Sequence, residues 1–177
     1  MATQHEPALA SGVWFFDPKT RNASRGAVIG PVSYFDATRL RDGRILFTGG
    51  LGPDKEPVNM SKIYDPELDK ITDCGNLAVS RWDHSVVQDG SGRVFVAGGS
   101  ESDYGAHPGI QLASVEELDL NTRRWKLAGN LRERRCRPMV FSLREGQLLI
   151  VGGWVGGMPG DSDDMWLHDW EIFATSQ

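Results

Sequence analysis

Apolar residues in this chain come in short bursts rather than at helical spacing. Ile45-Leu46-Phe47, Val94-Phe95-Val96-Ala97 and Leu148-Leu149-Ile150-Val151 are unbroken apolar runs, the pattern of a short strand covered on both faces. Each leads into a glycine pair, Gly49-Gly50, Gly98-Gly99 or Gly152-Gly153. A pair of glycines lets the backbone turn where side chains would clash. Before each run lies a more mixed one: Ala37-Thr38-Arg39-Leu40, Ser85-Val86-Val87-Gln88 and Met139-Val140-Phe141-Ser142-Leu143. The two are joined by Arg41-Asp42-Gly43-Arg44, Asp89-Gly90-Ser91-Gly92 or Arg144-Glu145-Gly146-Gln147. These connectors supply residues that accept positive φ, so each stretch predicts a β-hairpin. No stretch sustains a helical period, and the expected fold class is all-β.

The second half of each unit repeats as well. Lys62-Ile63-Tyr64-Asp65-Pro66-Glu67-Leu68-Asp69-Lys70-Ile71 parallels Val115-Glu116-Glu117-Leu118-Asp119-Leu120-Asn121-Thr122-Arg123-Arg124-Trp125. Each reads as an alternating strand, an Asp-centred turn and the start of an outer strand, the Asp bonding its own backbone at the turn. Val13-Trp14-Phe15-Phe16-Asp17-Pro18-Lys19-Thr20 is a further copy of that half, with no hairpin before it. The second glycines of the pairs, Gly50, Gly99 and Gly153, fall 49 and 54 positions apart. A period near 50 with four strand signals per unit is the mark of kelch-type propeller blades.

On these residues the chain, over residues 13–173, resembles the kelch repeat in the Asp-Gly-Arg form seen in bacterial and galactose-oxidase-like propellers. The resemblance implies a partial kelch-type β-propeller of about three four-stranded blades, or half of an assembled ring. Its units run about 13–33, 34–77, 78–131 and 132–173, after a tail at 1–12. Closed propellers typically have four to eight blades, so apolar faces and unpaired edges are expected at both ends. Self-association that completes the ring is one expected partner contact. The orphan strand 13–16 is expected to complete either the last unit or that of a second copy.

Twenty-one glycines and six tryptophans suit repeated β-units, whereas the net charge of −5 excludes general phosphate-backbone binding, so no nucleic acid is expected. No apolar run approaches the ~20 residues of a membrane span. The start of the chain lacks a signal-peptide pattern. Cys74 and Cys136 sit in different units with no CxxC spacing, and two free thiols fit a reducing compartment, the cytoplasm.

In an antiparallel four-stranded unit, turns alternate between two faces. One face receives the long connections 51–60, 100–113 and 154–164 together with the segments leading into each first strand. Long loops on a rigid scaffold are where binding residues sit. Arg81-Trp82-Asp83-His84 and Arg132-Glu133-Arg134-Arg135-Cys136-Arg137 place cations and an aromatic ring there, and Arg can clamp a carboxylate with two parallel hydrogen bonds. The kelch resemblance implies the same face. The ligand-contacting set is therefore Tyr34, Arg81, Trp82, His84, Tyr104, Arg135, Arg137 and Trp154. The alternative for Arg81 and Arg135 is pairing with Asp or Glu of neighbouring units.

His5, His84, His107 and His168 show no ligand spacing, and no nucleophile, phosphate or dinucleotide motif occurs. Asp161-Ser162-Asp163-Asp164 lacks the length of a calcium loop. No metal, cofactor or catalytic residue is assigned. The leading expectation is a non-catalytic module that binds a protein or peptide. The competing one is an enzyme on a sugar or sugar acid, similar to kelch-fold sialic-acid epimerases, with arginines holding the carboxylate and His84 or Asp83 moving protons.

Overall fold

The glycine-closed runs are the second strands of three antiparallel sheets in the computed structural model of the chain, which describes residues 11–102, 110–144, 146–156 and 165–174. The first sheet is a two-stranded ribbon of β1 (Ser11–Asp17) and β2 (Asn22–Gly30). The second joins β3 (Asp36–Arg39), β4 (Ile45–Thr48), β5 (Met60–Asp65) and β6 (Lys70–Asn76) in chain order. The third repeats this with β7 (Ser85–Gln88), β8 (Val94–Ala97), β9 (Ser114–Asp119) and β10 (Arg124–Asn130). In the last, β11 (Met139–Ser142) and β12 (Gln147–Val151) pair, but the third strand comes after a detour. A small ribbon of β13 (Trp154–Val155) and β14 (Met165–Trp166) precedes β15 (Trp170–Ala174), which pairs with β12. The described residues contain no helix, and none therefore that is long and apolar enough to cross a membrane.

The ladders keep one register from sheet to sheet. Thr48 lies opposite Ser61, Ala97 opposite Val115, and Val151 opposite Trp170. Side chains alternate between faces along a strand, so each sheet has two apolar faces, and they pack in series. Leu46 and Ile63 of the second sheet meet Val94, Val96 and Leu118 of the third. Phe95, Ala97 and Val115, on the other face of the third, meet Leu148, Ile150 and Phe173 of the last. Ile29, from the first ribbon, and Val32 meet Phe47 and Tyr64. Each such fully buried side chain contributes roughly 1.5–3 kcal/mol.

The turns form for the reasons their residues suggest. The Asp17, Asp65 and Asp119 carboxylates each accept the backbone N–H two residues on. The glycine pairs are at positive φ, Gly98 at 66° and Gly99 at 97°. A Cβ on Gly99 would stand 2.7 Å from the Trp82 carbonyl oxygen.

Three expectations need adjustment. Strand β1 starts at Ser11, inside the stretch read as a tail. Ile45, Leu149 and Val151 are half-buried rather than inaccessible: Leu149 and Val151 face away from the third sheet, into an apolar hollow shared with Trp170, and Ile45 packs at the margin of the cluster of Ile29, Val32, Phe47 and Tyr64. The orphan 13–16 pairs with β2 and not with the last sheet, because its own Asp17 turn delivers the partner.

Phe95 is fully buried between the third and last sheets. Phe95→Ala is expected to lower the unfolding free energy by about 3–5 kcal/mol, read by urea denaturation.

Candidate functional site

Arg81 and Arg135 occupy equivalent places, just before β7 and β11, and neither reaches solvent: both are 0 % exposed. The Arg81 guanidinium donates to the Gly98 carbonyl at 2.9 Å, to the Ser114 carbonyl and hydroxyl at 3.2 and 3.0 Å, and to the Glu116 carboxylate. Glu116 also accepts the backbone N–H groups of Ala78 and Val79. Arg135 donates to the Gly152 carbonyl at 2.8 Å, to Asp169 at 2.9 Å and to Glu171 at 3.2 Å. Burial pulls the Arg81 pKa down while Glu116 opposes the shift, and the bonds from Arg135 hold the Asp169 carboxyl below its usual range. These two arginines are internal ties, which corrects their assignment as ligand contacts. Their partners lie on the same sheet, not on a neighbouring one, since Arg81 and Glu116 both belong to the third.

Their backbones do join neighbouring sheets. The Gly50 N–H donates to the Arg81 carbonyl at 2.8 Å, and the Gly99 N–H to the Arg135 carbonyl at 2.9 Å. A Cβ on Gly98 would come within 2.5 Å of that Arg135 oxygen. The glycine pair of one sheet is thus the seat for the arginine segment of the next.

His84 is also interior. Its Nε2 shares a 2.8 Å hydrogen bond with the Thr48 hydroxyl, and burial, reinforced by the Arg81 charge, drops its pKa to about 3. An imidazole held neutral to that pH is no proton carrier near neutrality. Trp82 is buried, donating from its indole N–H to the Ser102 carbonyl at 2.7 Å. Trp154 is buried as well, its backbone exchanging two hydrogen bonds with Cys136. Tyr104 lies outside the described residues.

Tyr34 and Arg137 of the expected set do reach the surface, and the buried Asp83 carboxylate joins them. Tyr34, Asp83 and Arg137 stand at equivalent positions, two residues before β3, β7 and β11. All three are left-handed, with φ of 52°, 51° and 49°. Tyr34, 45 % exposed, sets its ring edge-on to Trp82 at 5.5 Å. Arg137 is half-exposed and its Nε donates to the Asp83 carboxylate at 2.7 Å, while its backbone N–H donates to the Asp83 carbonyl. With Phe35, Asp36, His84, Ser85 and Pro138 they line an open cleft of about 250 Å³. Burial raises the carboxyl pKa of Asp36, and that of Asp83 against the pull of Arg137. Asp36 accepts the N–H of Val86 at 2.8 Å and so fastens β3 to β7.

Of the expected set, the cleft brings together Tyr34, His84 and Arg137, with His84 at its floor. Phe35, Asp36 and Ser85 were missed as members, and Asp83 was expected only as a proton carrier in the enzyme reading. Left-handed backbone at a Tyr, an Asp and an Arg carries no glycine to announce it. The described residues contain no group of three or more His, Cys, Asp or Glu placed to hold a metal ion. No family model matches the chain, and no curated protein matches it.

Removing one member of a buried ion pair strands the other. Arg81→Ala is expected to cost about 3–5 kcal/mol, and an Arg81→Met, Glu116→Leu double variant distinctly less, as measured by chemical denaturation. His84 gives a pH signature. Its folded pKa, near 3, is below the ordinary 6.5, so its contribution is intact above pH 6.5 and is lost as pH falls toward 3, where only the unfolded chain takes up the proton. The wild type should lose stability relative to His84→Gln between pH 7 and 4, read as converging denaturation midpoints.

Proposed function

We propose that the chain is a segment of a kelch-type β-propeller acting as a non-catalytic binding module, with a protein or peptide docked on the face bearing Tyr34, Asp83 and Arg137. The serial sheets, the glycine seats and the period near 50 support the propeller reading. The observation that carries the binding reading is that the left-handed residue recurring at the head of each first strand brings Tyr34 and Arg137, both at the surface, together with the Asp83 carboxylate that Arg137 binds, round one cleft. Tyr and Arg are the side chains that most often dominate protein-binding surfaces. The cleft, open and about 250 Å³ in volume, is smaller than the usual enclosed small-molecule site and better suited to one side chain of a larger partner. Arg137 donates to Asp83 through Nε, which leaves its outer guanidinium edge for a ligand carboxylate.

The sugar-acid reading drew on Arg81 and Arg135 as carboxylate holders and on His84 as proton carrier. The first two are neutralised within their own sheets and the third stays unprotonated, so the binding module is the better supported. Cys74 and Cys136, both buried and unbridged, fit a cytoplasmic setting.

The test is affinity capture from a lysate with the immobilised chain, repeated with Tyr34→Ala and Arg137→Ala after circular dichroism has verified their folding. The expected result is a captured protein whose recovery falls at least tenfold with either variant. An unchanged capture profile overturns the site, and thermal stabilisation of the chain by a sugar acid, lost in Arg137→Ala, would move the assignment to the competing class.

A further inference from the structure

Among the described residues the serial packing leaves two faces unmatched, and they are the two halves of the junction that the chain already makes between its own sheets. On the rear face of each sheet, one third-strand position recurs: Phe16, Tyr64, Leu118 and Phe173, each one residue before the turn Asp or, in β15, at the matching register. Tyr64, Leu118 and Phe173 are 2, 2 and 9 % exposed because the preceding sheet covers them, whereas Phe16 is 65 % exposed. On the forward face the matching series is Ser61, Val115 and Trp170, of which the first two are covered and Trp170 is 61 % exposed. Trp170 sits in an apolar hollow with Leu143, Leu149, Val151 and Ile172. Trp14 and Val28 extend the rear patch, and Met139 and Phe141 the forward one.

We propose that copies of this chain associate head to tail, the forward face of the β11–β12–β15 sheet of one copy docking on the rear face of the β1–β2 ribbon of the next. The occupant is a second copy because the exposed pair reproduces an interface present within the chain: forward apolar face on rear apolar face, at the same register positions. Large exposed apolar patches of this kind mark interaction surfaces. The association is heterologous, so it closes into a ring or continues as an open chain of copies according to its rotation.

Phe16→Glu spoils only the rear face and Trp170→Glu only the forward face, and both side chains are exposed, so the core is untouched. Light scattering on the wild type at micromolar concentration is expected to give at least twice the 19.5 kDa chain mass. Each variant alone is expected to be a monomer with an unchanged circular dichroism spectrum. A mixture of the two variants is expected to form a 1:1 dimer and nothing larger, because one intact rear face and one intact forward face remain between them. A monomeric wild type overturns the proposal. So does an oligomer that survives in either variant alone, which would mean like faces meeting like, and so does a mixture that stays monomeric.

Discussion

A guanidinium with no access to water can exist in a folded protein only if something neutralises it, and that requirement shapes the middle and last sheets. Arg81 is satisfied by Glu116, three carbonyls and a hydroxyl, and Arg135 by Glu171, Asp169 and two carbonyls. Each arginine thereby holds the segment before the first strand against the third strand, closing its sheet from the inside. Its backbone carbonyl meanwhile receives the glycine N–H of the sheet before. One residue therefore fastens the interior of its own sheet and its seat on the neighbour. Such pairs add little net stability over an apolar replacement but penalise any arrangement that separates them, so they select this packing against its alternatives.

The second sheet keeps the same placement without a buried arginine–carboxylate pair. Val32 stands where Arg81 and Arg135 stand, and Lys62 where Glu116 and Glu171 stand, as the shared register requires. Lys62 turns instead to the Ile29 carbonyl at 3.1 Å. Val32 joins the apolar cluster with Phe47 and Tyr64. Where the arginine position is apolar, as at Val32, the facing position carries no carboxylate that would be left buried without a partner.

Much of the strand pattern was legible because it rests on local chemistry. Glycine pairs, Asp-Gly and Asp-Pro turns and short apolar runs each have one low-energy use, and they marked β3 to β12 closely. The ends were less legible. Strand β15 follows a small ribbon and has no Asp turn after it, so 165–170 offered no pattern to match. The site was misjudged where charge was equated with exposure. A signal was present: Glu116 and Glu171 each follow an apolar residue in the third strand of their unit, and they follow Arg81 and Arg135 by 35 and 36 residues. A matched spacing of opposite charges in two units is the mark of an internal pair. Tyr34, Asp83 and Arg137 could be grouped only once the first strands were placed side by side.

The glycine seats have a further consequence for how such a chain can change over time. Among the described residues each sheet packs on the sheets before and after it, through one pair of apolar faces and a small set of hydrogen bonds that, between the second, third and last sheets, includes the glycine N–H to arginine carbonyl contact. Stability then accumulates as a sum of neighbour terms rather than through one indivisible core. A stretch of about 50 residues, cut between one glycine pair and the next, carries both halves of the joint with it. Duplication or loss of such a stretch alters the number of sheets while every remaining joint keeps the partner it had. Sheet number is thus the cheapest property of this architecture to vary, and the substitutions hardest to accommodate are those at the glycine pairs.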